Sequence, residues 1–213
     1  MQAPWRGIAS VDTPPDDIAV LVATSLEARA VRRHARGARV VDAGIALAKL
    51  RRGESFGVAI SCGLAGGLDE DHPTGTVLIP DSARTSQGTW RTCDVEWTAR
   101  LRDAARRLGY APLAAPLLTS DTLVTGNARR DWARKGFAGA DMETALIVTN
   151  RLAAVRVILD TPRTELSPDW LNPARALLSP RNWRQATWLA REGPRCADVA
   201  ARIVALALDM GSG

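Results

Sequence analysis

The sequence has few of the residues that build disulfide frameworks and metal centres. Its 213 residues include three cysteines, at positions 62, 93 and 196, and two histidines. Three cysteines with this wide spacing match neither a set of disulfides nor a zinc site, and two histidines argue against a histidine-based metal centre. We therefore predict chemistry without a metal or an organic cofactor, with phosphate left open as a co-substrate.

Long hydrophobic runs are also absent. A membrane-spanning helix needs roughly 18 apolar residues, whereas the longest runs here, such as residues 18–23, have the length of a buried strand. The first 15 residues contain several prolines and lack the apolar core of a signal peptide. We expect a cytoplasmic protein with one domain over residues 1–213, a flexible stretch at 1–16, and a proline- and arginine-rich segment with a helix at 162–213.

Lysine is scarce, so arginine supplies almost all of the positive charge. Lys49 and Lys135 are the only lysines among 28 basic residues, and the formal net charge is +5. The arginines are spread over predicted helices and are not interleaved with aromatic residues, as they are on a surface that binds single-stranded nucleic acid. We interpret them as solvent-exposed helix faces and expect no nucleic-acid partner.

Short apolar runs alternate with amphipathic segments along the chain. The apolar runs predict strands at 18–23, 57–61, 76–80, 114–119 and 154–159, and the amphipathic segments predict helices at 26–36, 94–108, 127–134, 141–152 and 196–210. Residues 40–50 fit either a strand or a helix. This alternation predicts an α/β protein, a three-layer α/β/α sandwich with a mostly parallel mixed sheet, in which ligands bind beyond the carboxyl ends of the strands.

A glycine-rich segment follows the second predicted strand. Residues 63–67 read Gly-Leu-Ala-Gly-Gly. Glycines allow the backbone to approach a ligand closely and to direct amides toward an oxygen or an anion. A tight structural turn is the alternative, and the segment does not have the Gly-x-Gly-x-x-Gly spacing of a dinucleotide-binding loop.

Four carboxylates follow predicted strands or begin the predicted helix 141–152. Asp160 ends the strand of residues 154–159, where it is either a cap or a general acid that protonates a departing purine base. Glu143 has two oxygens that can each accept a hydrogen bond from one hydroxyl of a ribose, with the thioether of Met142 beside the sugar. Glu27 is either the base that aligns a water or an exposed carboxylate at a helix start, and Asp141 and Glu143 also suit the positive end of a helix dipole.

These motifs, in this order, resemble the nucleoside phosphorylase/nucleosidase superfamily. The likeness rests on the Gly-Leu-Ala-Gly-Gly-Leu segment, a Ser-Asp loop at 120–121, Asp-Met-Glu at 141–143 and Arg-x-x-x-Asp at 156–160, and it covers residues 18–160. The chain is similar to methylthioadenosine/S-adenosylhomocysteine nucleosidases. Its glycine segment and its proline- and arginine-rich tail are most similar to hopanoid-associated phosphorylases, which release adenine from adenosylhopane.

The resemblance implies a purine nucleoside phosphorylase-like fold, a small-molecule nucleoside substrate and assembly as a homo-oligomer. It makes Asp160 the acid at the purine, Glu27 the residue that activates water, and Glu143 the ligand of the ribose hydroxyls. The other substrate-binding residues implied are Met142 and Asp141 at the sugar, Leu123 and Val124 at the base, and Cys62, Gly63, Leu64, Ala65 and Gly66 on the side of the nucleophile, which is water or phosphate.

Two departures from the nucleosidase pattern bear on the substrate. Leu64 and Leu159 stand where those enzymes carry serines, so the site loses two hydroxyls and becomes more apolar. This favours a lipid-linked 5′ substituent, as in adenosylhopane. The alternatives are methylthioadenosine, S-adenosylhomocysteine or futalosine as substrate, and a nucleoside-binding homologue without turnover.

Tryptophans in the C-terminal segment raise the question of membrane contact. Trp170, Trp183 and Trp188 lie near several arginines, a combination that suits lipid headgroups. Packing of this segment on the core or on a partner subunit explains the same residues equally well. Peripheral membrane contact therefore stays open at this point.

Overall fold

The computed structural model describes residues 17–51, 53–171, 176 and 182–210. The strands are β1 Ile18–Val22, β2 Arg39–Asp42, β3 Phe56–Gly67, β4 Val77–Leu78, β5 Ser82–Thr85, β6 Trp90–Thr92, β7 Leu117–Thr119, β8 Gly139–Asp141 and β9 Thr149–Ile158. The helices are α1 Ser25–His34, α2 Val95–Arg107, α3 Asn127–Ala133 and α4 Trp183–Asp209. Short 3₁₀ helices occupy Ile45–Leu47, Thr144–Leu146 and Pro168–Leu171. The predicted flexible stretch 1–16 lies outside the described residues.

All of these strands belong to one mixed, mostly parallel sheet, as predicted. The long strand β3 pairs in parallel with β1 and with β9, and β2 pairs in parallel with β1. At its carboxyl end β3 turns to a different neighbour, because Gly66 and Gly67 pair antiparallel with β8. Strands β8, β7 and β5 are parallel, while β4 and β6 are antiparallel additions on β9 and β5.

The largest hydrophobic core lies between one face of the sheet and helices α1, α2 and α4. Val20, Ile60 and Val155 of the sheet belong to this cluster together with Leu101 of α2 and Ile203 of α4. The opposite face is covered by α3 and by the short segments that follow β2 and β8. None of the helices within the described ranges is both long and apolar enough to cross a bilayer.

Two predicted helices have different bounds or do not form. Helix α4 begins at Trp183 rather than at 196 and continues through Pro194. A proline inside a helix costs about 3 kcal/mol, and the packing of the buried α4 face outweighs that cost. The helix predicted at 141–152 is wrong, because β8 ends at Asp141 and β9 already begins at Thr149. The β-branched run Ile147, Val148 and Thr149 favours a strand at that point.

The predicted glycine loop is also wrong, because residues 63–67 continue strand β3 without a turn. The β5–β6 hairpin was not predicted. Thr24 caps α1, with Glu27 N donating to Thr24 Oγ1 and Thr24 N donating to Glu27 Oε2. This reciprocal capping box fixes the position of Glu27 at the start of the helix.

The three tryptophans of the C-terminal segment differ in exposure. Trp170 Nε1 donates to Gln185 Oε1, at 2.9 Å, and Trp188 is partly buried against the main core. Trp183, at the first position of α4, is exposed. Packing on the core therefore accounts for Trp188, a hydrogen bond within the C-terminal segment holds Trp170, and membrane contact remains a prediction for Trp183.

The packing of α2 on the sheet gives a direct test of the fold. Leu101 is 0% exposed and Val95, on the same helix, is 81% exposed. We expect Leu101→Ala to lower the free energy of unfolding by about 2–5 kcal/mol, because it leaves a cavity in the core. Val95→Ala is the matched control and should change it by less than about 0.5 kcal/mol. Urea denaturation followed by circular dichroism measures both, and equal losses would contradict the described orientation of α2.

Candidate active site

A cavity of about 180 Å³ lies beyond the carboxyl ends of the central strands. Glu27 of α1, Glu143 after β8 and Asp160 after β9 all line it, although they are remote in sequence. The other lining residues are Ala23, Thr24, Ile45, Leu64, Ala65, Gly66, Thr122, Leu123, Val124, Arg129, Ala140, Asp141, Met142, Leu159 and Leu166. The structure therefore brings together most of the predicted site residues.

Two larger clefts, of about 600 and 610 Å³, lie elsewhere on the surface. One surrounds the end of α1 and the other lies beside the exposed acidic stretch 69–71. Neither contains the buried carboxylates, so the smaller cavity is the better candidate for chemistry. Within the described residues, no group of three or more His, Cys, Asp or Glu side chains is placed to hold a metal ion.

Glu27 is buried and connects α1 to β3. Its Oε2 accepts hydrogen bonds from Ala23 N and Thr24 N, at 3.1 and 2.8 Å, and its Oε1 accepts one from Leu64 N at 2.9 Å. The alternative of an exposed carboxylate at a helix start is therefore wrong. Glu27 caps the helix and also presents its carboxylate to the cavity.

Arg156, near the carboxyl end of β9, is 1% exposed and binds groups from three segments. Its Nε donates to Asp141 Oδ2 at 3.0 Å, and its Nη2 donates to Ser61 Oγ at 2.6 Å and to Thr144 Oγ1 at 2.9 Å. Glu143 Oε2 lies 3.7 Å from the same Nη2. A buried guanidinium requires such pairing, because an uncompensated charge in the interior is strongly destabilising.

The carboxylate of Asp141 is used within the protein. It accepts hydrogen bonds from Thr119 Oγ1, at 2.7 Å, and from Thr144 Oγ1 and N, in addition to those from Arg156. Asp141 lines the cavity, but its oxygens are engaged by these donors. These bonds anchor Arg156 and the turn at Thr144, and the predicted contact of Asp141 with substrate stays a prediction.

Glu143 is a buried acid whose pKa lies well above its ordinary value. Its Oε1 accepts a hydrogen bond from Ala46 N at 2.9 Å, and Ala46 and Leu47 have left-handed φ angles of 53° and 59°. Burial and the charge of Asp141 raise the pKa of Glu143 to about 7, against the opposing effect of Arg156. Both protonation states of Glu143 are therefore accessible near neutral pH.

Asp160 forms a buried ion pair with Arg129. Its Oδ2 accepts hydrogen bonds from Arg129 Nη2 and, at 3.2 Å, from Leu166 N. Burial raises the pKa of Asp160 above its ordinary value, and the contact with Arg129 works against that rise. A buried carboxyl with a raised pKa suits the predicted role of a proton donor.

Arg129 and the role of Arg156 were both missed from the sequence. Arg129 is 3% exposed, so the interpretation of the helix arginines as solvent-exposed is wrong for this residue, and Arg156, predicted on a strand, is 1% exposed. For Arg156 a signal existed, because a charged residue interrupts an otherwise apolar strand run. For Arg129 no such signal existed. Arg130 beside it is exposed, and the residue pattern of the helix does not indicate which of the two arginines is buried.

Two predicted substrate-binding residues do not line the cavity. Cys62 is buried in the main core, on the side of the helices, and burial raises the pKa of its thiol to about 12. Gly63 lies against the side chains of Glu27 and Arg156. An added Cβ there would lie 2.2 Å from Glu27 Oε1 and 2.6 Å from Arg156 Nη1, so the glycine provides room for these two side chains rather than a contact for a ligand.

The remaining predicted residues give the cavity an apolar wall. Leu64, Ala65 and Gly66 come from the end of β3, and Leu123 and Val124 come from the segment before α3. Met142, Leu159, Leu166 and Ile45 complete this wall. The cavity therefore has an apolar wall, and carboxylates lie at several other places around it.

Comparison with solved structures identifies the fold. The chain is similar to a futalosine hydrolase mutant of Helicobacter pylori, with a TM-score of 0.65, 11% identity and coverage of 91% of this chain and 98% of that one. It is also similar to the 5′-methylthioadenosine/S-adenosylhomocysteine nucleosidases of Campylobacter jejuni and of Neisseria meningitidis, the latter in complex with methylthio-immucillin-A. Both have a TM-score of 0.64, 14% identity and coverage of 91% of this chain, and of 99% and 98% of their own.

No protein-family model matches the sequence, and no curated protein is similar to it. At identities of 11–14% the structural likeness shows a shared fold. The predicted purine nucleoside phosphorylase-like α/β architecture is therefore confirmed. The substrate and the roles of the individual residues must be argued from the site itself.

The crowding around Gly63 makes a testable prediction. We expect Gly63→Ala to displace Glu27 and Arg156, because the added methyl group cannot lie 2.2 Å from a carboxylate oxygen. Stability should fall by about 2 kcal/mol or more, and binding in the cavity should weaken. Gly193→Ala in α4 is the control, since its methyl group would lie 3.3 Å from Leu26 Cδ2 and alanine favours a helix. Thermal unfolding of both variants measures this effect. A Gly63→Ala variant as stable as Gly193→Ala would contradict this packing.

Proposed function

We propose that this chain hydrolyses the N-glycosidic bond of an adenosine with an apolar 5′ substituent and releases adenine. The observation that carries the proposal is the convergence of Glu27, Glu143 and Asp160 on one cavity. Nucleosidases that share the fold, named for methylthioadenosine, S-adenosylhomocysteine or futalosine, support the same reaction class.

Asp160 is the proton donor in this proposal. Departure of an anionic purine is unfavourable, so a proton passes from Asp160 to N7 of the base while the C1′–N9 bond breaks and its electron pair moves to the base. The buried position of the carboxyl at the end of β9 supports this role, because burial raises the pKa of Asp160 and favours its protonated form.

Glu143 and Met142 bind the sugar. The carboxylate of Glu143 accepts one hydrogen bond from each ribose hydroxyl, in place of or beside the bond from Ala46 N. Met142 is partly exposed in the same wall and packs against the ribose. These contacts hold C1′ between Asp160 and Glu27.

Glu27 accepts a proton from the water that attacks C1′. The charges on this side of the cavity support water rather than phosphate as the nucleophile. Glu27, Asp141 and Glu143 are acidic, and Arg156 is the cation that they share. This surplus of carboxylates repels a phosphate dianion and suits a neutral water.

The apolar wall supports a large hydrophobic 5′ group. The cavity of about 180 Å³ is smaller than the roughly 300–1,000 Å³ of typical small-molecule sites, so part of the substrate extends beyond it. Leu64 and Leu159, at positions where the resemblance to the nucleosidases places serines, add apolar surface. Adenosylhopane is the substrate that we favour, and methylthioadenosine, S-adenosylhomocysteine and futalosine are the alternatives.

Removal of the acid tests the reaction. We expect wild-type protein to release adenine from adenosylhopane in detergent micelles, and Asp160→Asn and Glu27→Gln to lower the rate by about a hundredfold or more. Asp103→Asn, on the exposed face of α2, should retain full activity. Chromatography of the released base, with and without phosphate, gives the measurement.

The other substrates serve as parallel reactions in the same assay. Preferential turnover of methylthioadenosine, S-adenosylhomocysteine or futalosine would reassign the substrate and keep the mechanism. Full activity of Asp160→Asn would remove Asp160 from the acid role. Binding of an adenosine analogue without any release of base would favour a nucleoside-binding protein.

The raised pKa of Glu143 predicts pH-dependent binding. Since the carboxylate is the form that accepts two hydroxyl donors, affinity for a non-cleavable adenosine C-nucleoside should rise with pH and level off above about 7. One pH unit below the pKa, affinity should be about tenfold weaker, because most of the protein then carries a protonated Glu143. Calorimetry at pH 5.5–8.5 measures this, and Glu143→Gln should flatten the profile. A wild-type profile as flat as that of the variant would contradict it.

A further inference from the structure

Arg129 occupies an unusual position for a residue on a short surface helix. It is 3% exposed, whereas Arg130, the next residue of α3, is exposed. The guanidinium donates from Nε to Val124 O at 2.9 Å, from Nη1 to Gly67 O at 2.6 Å, and from Nη2 to Asp160 Oδ2. Each acceptor belongs to a different segment, so the side chain is fixed from three directions.

These acceptors border the candidate site. Gly67 ends β3, Val124 lies in the apolar wall, and Asp160 is the proposed acid. Leu166 N donates to the same Oδ2 that Arg129 holds, at 3.2 Å. The other oxygen, Oδ1, lies toward Gly66, 3.1 Å from the position that a Cβ on that residue would take. Arg129 therefore orients the carboxyl group with Oδ1 on the side of a cavity-lining residue.

The charges around Asp160 come from several elements. Glu165, after β9, has its Oε1 3.0 Å from Arg129 Nε, and Glu27, Asp141 and Glu143 line other sides of the same cavity. The neighbouring strand residues Gly66 and Gly67 carry no charge. Burial disfavours the negative charge of Asp160, and Arg129 is the cation in direct contact that favours it.

We propose that Arg129 is a positioning residue that stabilises the carboxylate of Asp160 as its proton passes to the departing base. The inference rests on the proposed function. In this step the O–H bond of Asp160 breaks, an N–H bond forms at N7, and the electron pair of the C1′–N9 bond moves to the base. Arg129 keeps its own protons throughout and acts through its charge.

This role has a consequence for the pH profile. Turnover requires protonated Asp160, so kcat falls as pH rises through the pKa of that group. A contacting guanidinium lowers the pKa of a carboxyl by about one to three units. Loss of its charge should therefore move the alkaline limb of the kcat profile upward by about that amount. The plateau of kcat should fall by about tenfold or more, because the proton donor becomes a weaker acid.

The experiment compares the kcat profile of adenine release for wild type, Arg129→Gln, Arg129→Lys and Arg130→Met. Arg129→Gln keeps an amide donor near the position of Nε, which bonds Val124 O, and removes the charge, so its alkaline limb should move upward. Arg129→Lys should keep the limb near that of wild type, and the exposed Arg130→Met should match wild type fully. A purely structural role would lower kcat at every pH without moving the limb, and that result would overturn the proposal.

A second readout does not depend on turnover. The ¹³C resonance of the Asp160 carboxyl, assigned by its loss in Asp160→Asn, reports the titration of this group directly. It should titrate at higher pH in Arg129→Gln than in wild type, and an unchanged midpoint would overturn the proposal. If wild type releases no base from any of the substrates, the proposed function fails, and this titration still decides the role of Arg129.

Discussion

The buried guanidinium of Arg156 binds groups from three segments that are distant in sequence. Ser61 of β3, Asp141 of β8 and Thr144 of the following turn all engage it, and the carboxylate of Glu143 lies beside it. A charge at this depth is tolerated only with such partners, so β3, β8 and β9 must come together in this arrangement for the cation to be satisfied. Gly63 follows from the same constraint, since a side chain there would occupy the space of Arg156 and Glu27.

The site contains a second buried cation, Arg129, and the charges around it differ from those around Arg156. Arg156 lies among Glu27, Asp141 and Glu143, and Arg129 lies against Asp160 on another side of the cavity. The first group has an excess of carboxylates and suits a neutral nucleophile and a diol. The second group is a single ion pair, in which Arg129 fixes the orientation of the Asp160 carboxyl. Two carboxyl environments of this kind are what a reaction with separate proton-accepting and proton-donating steps requires.

Much of this arrangement follows from local sequence patterns. Apolar runs gave the strands β1, β7 and β9 and the positions of Glu27 and Asp160 beyond two strand ends, and Thr24 with Glu27 is a local capping signal. The turn at Thr144 and the strand course of residues 63–67 were not predictable in this way, because hydrogen bonds to Asp141 and pairing with β8 and β9 decide them. Tertiary packing likewise carries α4 through Pro194. Burial of Arg129 depends on acceptors from distant segments, which no pattern within α3 reveals.

The central claim is that Glu27, Glu143 and Asp160 surround one nucleoside. A crystal structure of the protein with an adenosine C-nucleoside that carries an apolar 5′ group tests it most directly. We expect N7 of the base within about 2.6–3.2 Å of the Asp160 carboxyl, both ribose hydroxyls on Glu143, and the 5′ group along Leu64 and Leu159. An analogue bound in another cleft, or one bound here with its ribose away from Glu143 and its base away from Asp160, would contradict the account.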